Sequence, residues 1–589
     1  MDLRSVLAES SLFSSLSPQA LDALTEIAAP LELKSGERLF QQGDTAEYLY
    51  IVATGRLRAM IGDTVAGFIG RLEPIGEIGL LSGEPRGATV HAIRDSLLIQ
   101  LKRDQLLEFV LAHPTALVAV TRVLITRLRQ NQRQQTLNSA RSVRAIAVIP
   151  AAPDVPVAPL AQALEQRLSK IGKCRLLDAA TVDTELGYGT AHTPFAASDG
   201  NTRLMEWLNQ LERDHRYLIY RAGSDPDPWA LRCMRQADRA LVVAGASAMP
   251  LATPMVDTLR RSGIMATVEL VLWRPADMEG GDVLSWMAQT GARAHHFVRP
   301  GDESDLDRLS RHVTGRALGL VLGGGGARGF AHLGLIRALE ELKIPVDITG
   351  GSSMGAFISA LLACGHSSQE MLHVARETFV THNYLNDYML PRIALIRGRK
   401  FLGRLREVFG EQRIEHLRLP WFCVSTNLTR GTPVVHDQGP LEMWLAASMS
   451  VPGFAPPVVY KGELLADGAV VDSLPTDVMQ SLERGPIVAS DVSTEGGIRA
   501  PGIEGPDPEG LLNWSGPGDP PGLRDILFRT ATLTSESGVQ RRAASADLYL
   551  RMPVLGIGMF EWKRLTDIVE RGYQFAMEKL TESRDHLLK

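Results

Sequence analysis

The sequence predicts a multidomain α/β chain: a small antiparallel β module with helices, then a central α/β region, then a second and more glycine-rich α/β domain. Three observations predict it. Short alternating runs broken by glycine fill Leu31 to Gln100. Strand-length apolar runs alternate with helical stretches between residues 144 and 300, and from Leu318 the same rhythm resumes with heavier glycine punctuation. At 589 residues the chain exceeds what one hydrophobic core supports, and the composition shifts divide it into residues 12–138, 139–314 and 315–589.

In the first module, Tyr48-Leu49-Tyr50-Ile51-Val52 followed by Gly55 is typical of the pattern, and it predicts a sandwich or barrel. A helical pattern runs from Asp104 to Gln134, with Leu117, Val120, Leu124 and Leu128 on one face. Between Phe109 and Pro153 there is no acidic residue, while Arg122, Arg127, Arg129, Arg133, Arg141 and Arg144 all lie there. Such a cationic arm suits a peripheral contact with an anionic membrane surface; a solvated linker, or a seam between the protomers of a homodimer, is the plainer use. In the middle region, strands are predicted at Ala145–Ile149, Tyr217–Tyr220, Ala240–Val243 and Val268–Leu272, with a helix from Pro159 to Lys170. His295-His296 has no third ligand near it in sequence, so a structural role is predicted and no metal site.

Composition excludes several classes. A hydrophobic fraction of 45% and a charged fraction of 22% belong to an ordinary globular protein. With 62 basic against 67 acidic residues, nucleic acid is not the expected partner. Cys174, Cys233, Cys364 and Cys423 lack disulfide or zinc spacing, which points to a reducing, cytoplasmic setting. No signal pattern opens the sequence and no uninterrupted apolar run reaches membrane-spanning length, so a protein that does not span a membrane is expected.

The chemistry is concentrated in the last domain, between residues 318 and 485. Leu318–Leu322 predicts a strand, Gly323-Gly324-Gly325-Gly326-Ala327-Arg328-Gly329 a tight turn, and Leu335, Ala338, Leu339 and Leu342 one face of a helix. Consecutive glycines at a helix N-terminus let backbone N–H groups converge on negative charge, which is what an oxyanion hole requires. A second unit follows: a strand at Ile344–Ile348, then Gly351-Ser352-Ser353-Met354-Gly355, then an apolar helix from Ala356 to Ala363. Gly351, Ser353 and Gly355 fit G-x-S-x-G, the elbow that lifts a serine nucleophile clear of a sheet; Ser352 does not fit. A serine needs a base. His332, His366, His373, His382 and His436 are available, but Asp467, at a strand end before Gly468, is better placed. It could instead cap its turn, and Asp472 competes. Gly324, Gly326 and Gly329 also satisfy the dinucleotide G-x-G-x-x-G, with Asp347 near the ribose position, but that reading leaves Ser353 and Asp467 without a role.

Gly324–Gly329, Gly351–Gly355 and Asp467-Gly468-Ala469, in this order, resemble the three signatures of patatin-like phospholipases, and Val451-Pro452-Gly453 resembles a further segment of that family. The resemblance implies a patatin-type α/β/α hydrolase domain that cleaves phospholipid or lysophospholipid esters with a Ser353–Asp467 dyad and no required cofactor. It also implies an oxyanion hole at Gly324, Gly325 and Gly326, with Arg328 holding the loop or a phosphate headgroup. An inactive interaction domain on the same fold is the alternative.

Gly76-Glu77 through Arg86-Gly87-Ala88 resembles the phosphate-binding cassette of cyclic nucleotide-binding domains, which have a β-roll with helices. That implies cAMP or cGMP as effector, with Glu77 on the ribose, Arg86 on the cyclic phosphate, and Gly76 and Ala88 completing the cradle. Gly87 departs from the usual small side chain, and a domain that binds nothing is the alternative. The domain order, together with Tyr217–Tyr220 and Cys233–Asp238, resembles the neuropathy target esterase family of lysophospholipases.

Overall fold

The computed structural model describes residues 2–113, 143–195, 199–274, 281–493, 507–514 and 538–588, apart from residues 11, 15, 63, 78, 80–82, 247, 252 and 383, and also scattered positions between 522 and 535. Arg122, Arg127, Arg129, Arg133 and Arg141, the helical face from Leu117 to Leu128 and most of the proline-rich stretch 496–522 lie outside the described residues. The chain forms two compact units, Met1–Gly315 and Arg316–Lys589.

In the first unit, two helices, Leu3–Glu9 and Pro18–Glu26, are N-capped by Asp2 and Ser17. Two four-stranded antiparallel sheets follow. One is ordered Ala28–Leu33, Ser96–Lys102, Tyr48–Thr54, Pro74–Ile75, and the other Arg38–Phe40, Thr89–Ala92, Leu57–Ile61, Thr64–Ile69. The strand Tyr48–Thr54 is apolar on both faces because both are covered. Tyr50 and Val52 meet Leu57, Val90 and Leu98 between the sheets, while Leu49, Ile51 and Ala53 pack with the helices.

The same unit contains a six-stranded parallel sheet ordered Cys174–Leu177, Tyr217–Arg221, Ala145–Pro150, Arg239–Gly245, Thr267–Trp273, Ala294–Val298. Helices bury both faces. The two outer strands are absent from the sequence prediction. As edge strands they are only part-buried and carry Arg175, His295 and His296, so no apolar run marks them. A buried Arg94 joins the β module to this sheet, donating to Glu212 at 2.7 and 2.8 Å and pairing with Asp238 at 2.8 Å.

In the second unit, Trp421–Asn427, Ile348–Ser352, Gly319–Leu322, Ile487–Asp491 and Leu548–Arg551 lie side by side and parallel. Glu463–Asp467 pairs antiparallel with Trp421–Asn427 and carries Val458–Tyr460 on its other side. The Met354–Ala363 helix is buried almost throughout, and Ala331–Glu341 packs against the 24-residue helix Leu565–Leu588. One strand corrects the sequence reading: the predicted Ile344–Ile348 lies four residues later, at Ile348–Ser352. Gly350-Gly351 looks like a turn in sequence but is paired on both sides. At Gly350 a Cβ would come within 2.6 Å of the Phe422 ring, so glycine is here the price of close strand packing.

Candidate active site

The strand Ile348–Ser352 ends directly at Ser353, whose φ of 53° and ψ of −122° are sparsely populated for a residue with a side chain. The turn is that sharp because a Cβ at Gly351 or Gly355 would approach the Leu322 carbonyl oxygen to 2.3 or 2.0 Å. Ser353 N–H donates to Ser448 Oγ at 3.0 Å, and Ser448 Oγ donates onward to the Val424 carbonyl at 2.7 Å. Locked in this way, the Ser353 hydroxyl donates to Asp467 Oδ2 at 2.6 Å.

Asp467 closes the strand Glu463–Asp467 and is fully buried. Its Oδ1 accepts from Ala469 N at 2.8 Å, the turn-capping bond, so one carboxylate both caps its turn and meets the Ser353 hydroxyl. Burial raises its pKa to about 7 against the lowering pull of the Ser353 and Ala469 hydrogen bonds. The competitor Asp472 pairs instead with Arg542 at 2.9 Å. Among the described residues no histidine lines the cavity at Ser353. His332 is buried beneath the glycine loop, with Nε2 2.9 Å from the Gly323 carbonyl and Nδ1 2.9 Å from Ser490 Oγ. Burial holds it neutral, with a pKa lowered to about 4. A carbonyl can only accept, so Nε2 carries the proton and clamps the loop.

The four predicted oxyanion residues are not equivalent. Gly324 N–H already donates to the Ser473 carbonyl at 2.9 Å, and Ala327 N–H to the Met559 carbonyl at 2.7 Å. The N–H groups of Gly325 and Gly326 between them make no such bond among the described residues. Gly326 has φ +58°, and a Cβ there would sit 2.5 Å from the Met559 carbonyl oxygen. Arg328 Nε donates to the Ile557 carbonyl at 2.7 Å, which is the loop-holding use, and Arg328 does not line the cavity. The cavity itself, about 200 Å³, opens over Ser353, Met354 and Gly326 and is walled by Phe379, Phe401, Met449, Phe454 and Val458. Asp347, the ribose candidate of the dinucleotide reading, is buried and accepts from Leu318 N at 3.0 Å.

Sequence reasoning missed Ser448 and the clamp at His332. Ser448 opens the stretch whose likeness to the patatin-like family is carried by Val451-Pro452-Gly453, which was the available signal. His332 gave none, because its partners Gly323 and Ser490 are set by the fold.

In the first unit, Gly76 and Arg86 meet: Arg86 donates to the carbonyls of Gly76 at 3.1 Å and Tyr48 at 2.6 Å, and stacks over Phe40 at 4.2 Å. Glu77 is buried nearby in sequence and Ala88 is half-buried, while Leu80, Leu81 and Ser82 of the cassette fall outside the described residues. His296 lies 2.7 Å from Glu269, which also binds Arg239, so it serves the sheet. Among the described residues no three metal-ligating side chains converge, and no helix is long and apolar enough to cross a membrane.

Residues 320–479 match the family described as patatin-like phospholipase, residues 142–315 the neuropathy target esterase family P-loop like domain, and residues 30–113 the cyclic nucleotide-binding domain. Patatin-like phospholipase domain-containing protein 6 of Pongo abelii is 30% identical over 606 residues, taking in 92% of this chain and 44% of that protein. Patatin-like phospholipase domain-containing protein 7 of Rattus norvegicus is 32% identical over 79% of this chain and 38% of its own length. Lysophospholipase nte1 of Neosartorya fischeri is 28% identical over 93% of this chain and 42% of its own length. The chain thus spans less than half the length of these curated relatives. It carries a cyclic nucleotide-binding domain, a P-loop like domain of the neuropathy target esterase family and a patatin-like phospholipase domain, in that order, and is similar to these relatives across them.

Proposed function

We propose that this protein hydrolyses the carboxylic esters of lysophospholipids or phospholipids through Ser353 and Asp467, under the influence of a cyclic nucleotide bound by its N-terminal module. The observation that carries the catalytic part is the 2.6 Å hydrogen bond from Ser353 Oγ to Asp467 Oδ2 at the floor of an apolar cavity. Asp467, the partner of the hydroxyl among the described residues, takes its proton as Ser353 attacks the ester carbonyl. The developing oxyanion is met by the N–H groups of Gly325 and Gly326. Asp467 then returns the proton to the departing alcohol, and water attacks the acyl-enzyme by the same route in reverse. The apolar walls suit an acyl chain, and a volume of about 200 Å³ favours a lipid with one chain. The relatives named lysophospholipase support the same substrate class.

The test is labelling with a fluorophosphonate followed by turnover of lysophosphatidylcholine. Label on Ser353, absent in Ser353→Ala, together with turnover by the native chain, is the expected result. An unlabelled native chain with no turnover would favour the inactive interaction domain. Regulation is supported by the match over residues 30–113 and by the burial of Glu77 and Arg86 in one module. Calorimetry with cAMP and cGMP reads it: binding weakened about tenfold or more by Arg86→Ala is expected from loss of a charge-assisted hydrogen bond.

A further inference from the structure

We infer that the loop from Tyr384 to Lys400, with the neighbouring edge strand Val458–Tyr460, docks the catalytic unit on the anionic surface of a lipid assembly and so feeds the Ser353 cavity. The inference rests on the lipid-hydrolase reading above.

Three apolar side chains stand far out of the protein here. Leu390 is 73% exposed, Ile393 69% and Val459 69%, and Tyr388 and Tyr460 are also exposed. Water-facing apolar groups scattered singly mean nothing, but grouped around the mouth of an apolar cavity they mark an interaction surface. They are held there by a fixed backbone. Tyr388 and Ile396 form an isolated antiparallel bridge, Leu395 N and Ile396 N each donate at 3.0 Å to the carbonyls of Gly453 and Phe454, and Met389 N donates to the Leu395 carbonyl at 3.0 Å. The Asp387 carboxylate ties the far end, accepting from Gly398 N and Lys400 N at 3.2 Å. With its base bonded in this way the loop presents Leu390 and Ile393 outward, where burying them would require no rearrangement of the core.

Both segments are rooted in the cavity wall. Leu385, Ile396 and Gly398 of the loop and Val458 of the strand line the space above Ser353. The occupant is chosen by charge. Arg392, Arg397, Arg399 and Lys400 are all exposed, and the one acid between residues 384 and 400 is Asp387, whose oxygens are committed to backbone N–H groups. Lys461 stands beside the strand, over the Tyr460 ring at 5.0 Å. Apolar tips flanked by exposed cations match a surface with acyl chains beneath negative headgroups. A protein partner would need a complementary acidic and apolar face for which nothing in this chain argues.

The experiment uses the full chain with vesicles of phosphatidylcholine alone or mixed with phosphatidylglycerol, read by co-sedimentation, alongside hydrolysis of lysophosphatidylcholine held in the same vesicles. Turnover of the freely soluble ester p-nitrophenyl butyrate controls for folding and chemistry. Leu390→Asp with Ile393→Asp is expected to weaken vesicle binding and vesicle-borne hydrolysis at least tenfold and to leave p-nitrophenyl butyrate turnover unchanged. Arg392→Glu with Arg399→Glu is expected to erase the preference for anionic vesicles. A native chain that ignores vesicles, or a Leu390/Ile393 double variant that still binds them, overturns the docking surface, as does a patch whose mutation disrupts only a protein complex. Failure of the native chain on p-nitrophenyl butyrate would instead strike the catalytic reading, since co-sedimentation requires no turnover.

Discussion

The central sheet and the catalytic sheet start in the same way and end differently. In each, a short buried strand lies between two parallel neighbours and runs through a loop into a helix: Ala145–Pro150 into Val157–Ser169, and Gly319–Leu322 into Ala331–Glu341. The central loop reads Ala151-Ala152-Pro153-Asp154-Val155-Pro156. Its prolines have no N–H, and the amides of Ala151 and Val155 already donate to Val243 and Ala152. The loop of the second unit opens on four consecutive glycines, and among the described residues the amides of Gly325 and Gly326 make no backbone hydrogen bond. The lesson is that the α/β layer alone confers no chemistry. What matters is whether the loop at the C-terminal edge lets a ligand reach backbone amides, as a run of glycines does and a loop of prolines and side chains does not.

The comparison breaks most visibly at the carboxylate. Asp467→Asn should lower kcat for ester hydrolysis at least about a thousandfold with the fold intact, as loss of a base does in other serine hydrolases; steady-state kinetics with a matched circular dichroism spectrum checks it. Next comes the loop. Gly326→Ala forces a Cβ toward the Met559 carbonyl and displaces one oxyanion donor, so kcat should fall about a hundredfold to a thousandfold. Ala151→Gly in the central loop should leave the same assay unchanged.

The central sheet has its own sensitive point, and it reads out as stability. Asp238→Ala takes one carboxylate from the buried Arg94, which keeps Glu212, and leaves unbonded the amides of Arg144 and Ala145 that donate to Asp238 at 2.7 and 3.0 Å. Denaturant unfolding of the first unit should lose about 3–5 kcal/mol while turnover per folded molecule stays the same. The smallest effect is the pH profile. With Asp467 titrating at about 7, kcat/KM should fall about tenfold per pH unit below neutrality, since only the ionised carboxylate accepts the Ser353 proton. The stability sign is opposite. The folded value lies above the unfolded one, so the contribution of the bound proton is full below about pH 4 and is lost as pH rises through about 7. At pH 8, Asp467→Asn should therefore raise Tm even as it abolishes turnover.

How much of this was legible beforehand follows from the range of each interaction. Turn and elbow geometry is local, so Gly351, Ser353, Gly355 and the Asp467 turn could be read directly, as could the buried inner strands of the central sheet with their continuous apolar runs. The edge strands Cys174–Leu177 and Ala294–Val298 could not, because half-exposed strands carry no such run. Nor could the true start of Ile348–Ser352, where glycines that resemble a turn serve strand packing against Phe422.

Sequence alone determined which residue types were on offer: a serine in a strained elbow, a carboxylate at a strand end and a run of small residues that frees backbone amides. Tertiary structure alone decided which of them meet. It brought Asp467 to Ser353 across 114 positions of chain, gave Asp472 to Arg542, spent the amide of Gly324 on Ser473 and set His332 beneath the loop. The physical reason is that a hydrogen bond between distant strands depends on register and burial, and those are properties of the packed sheet that no single segment contains.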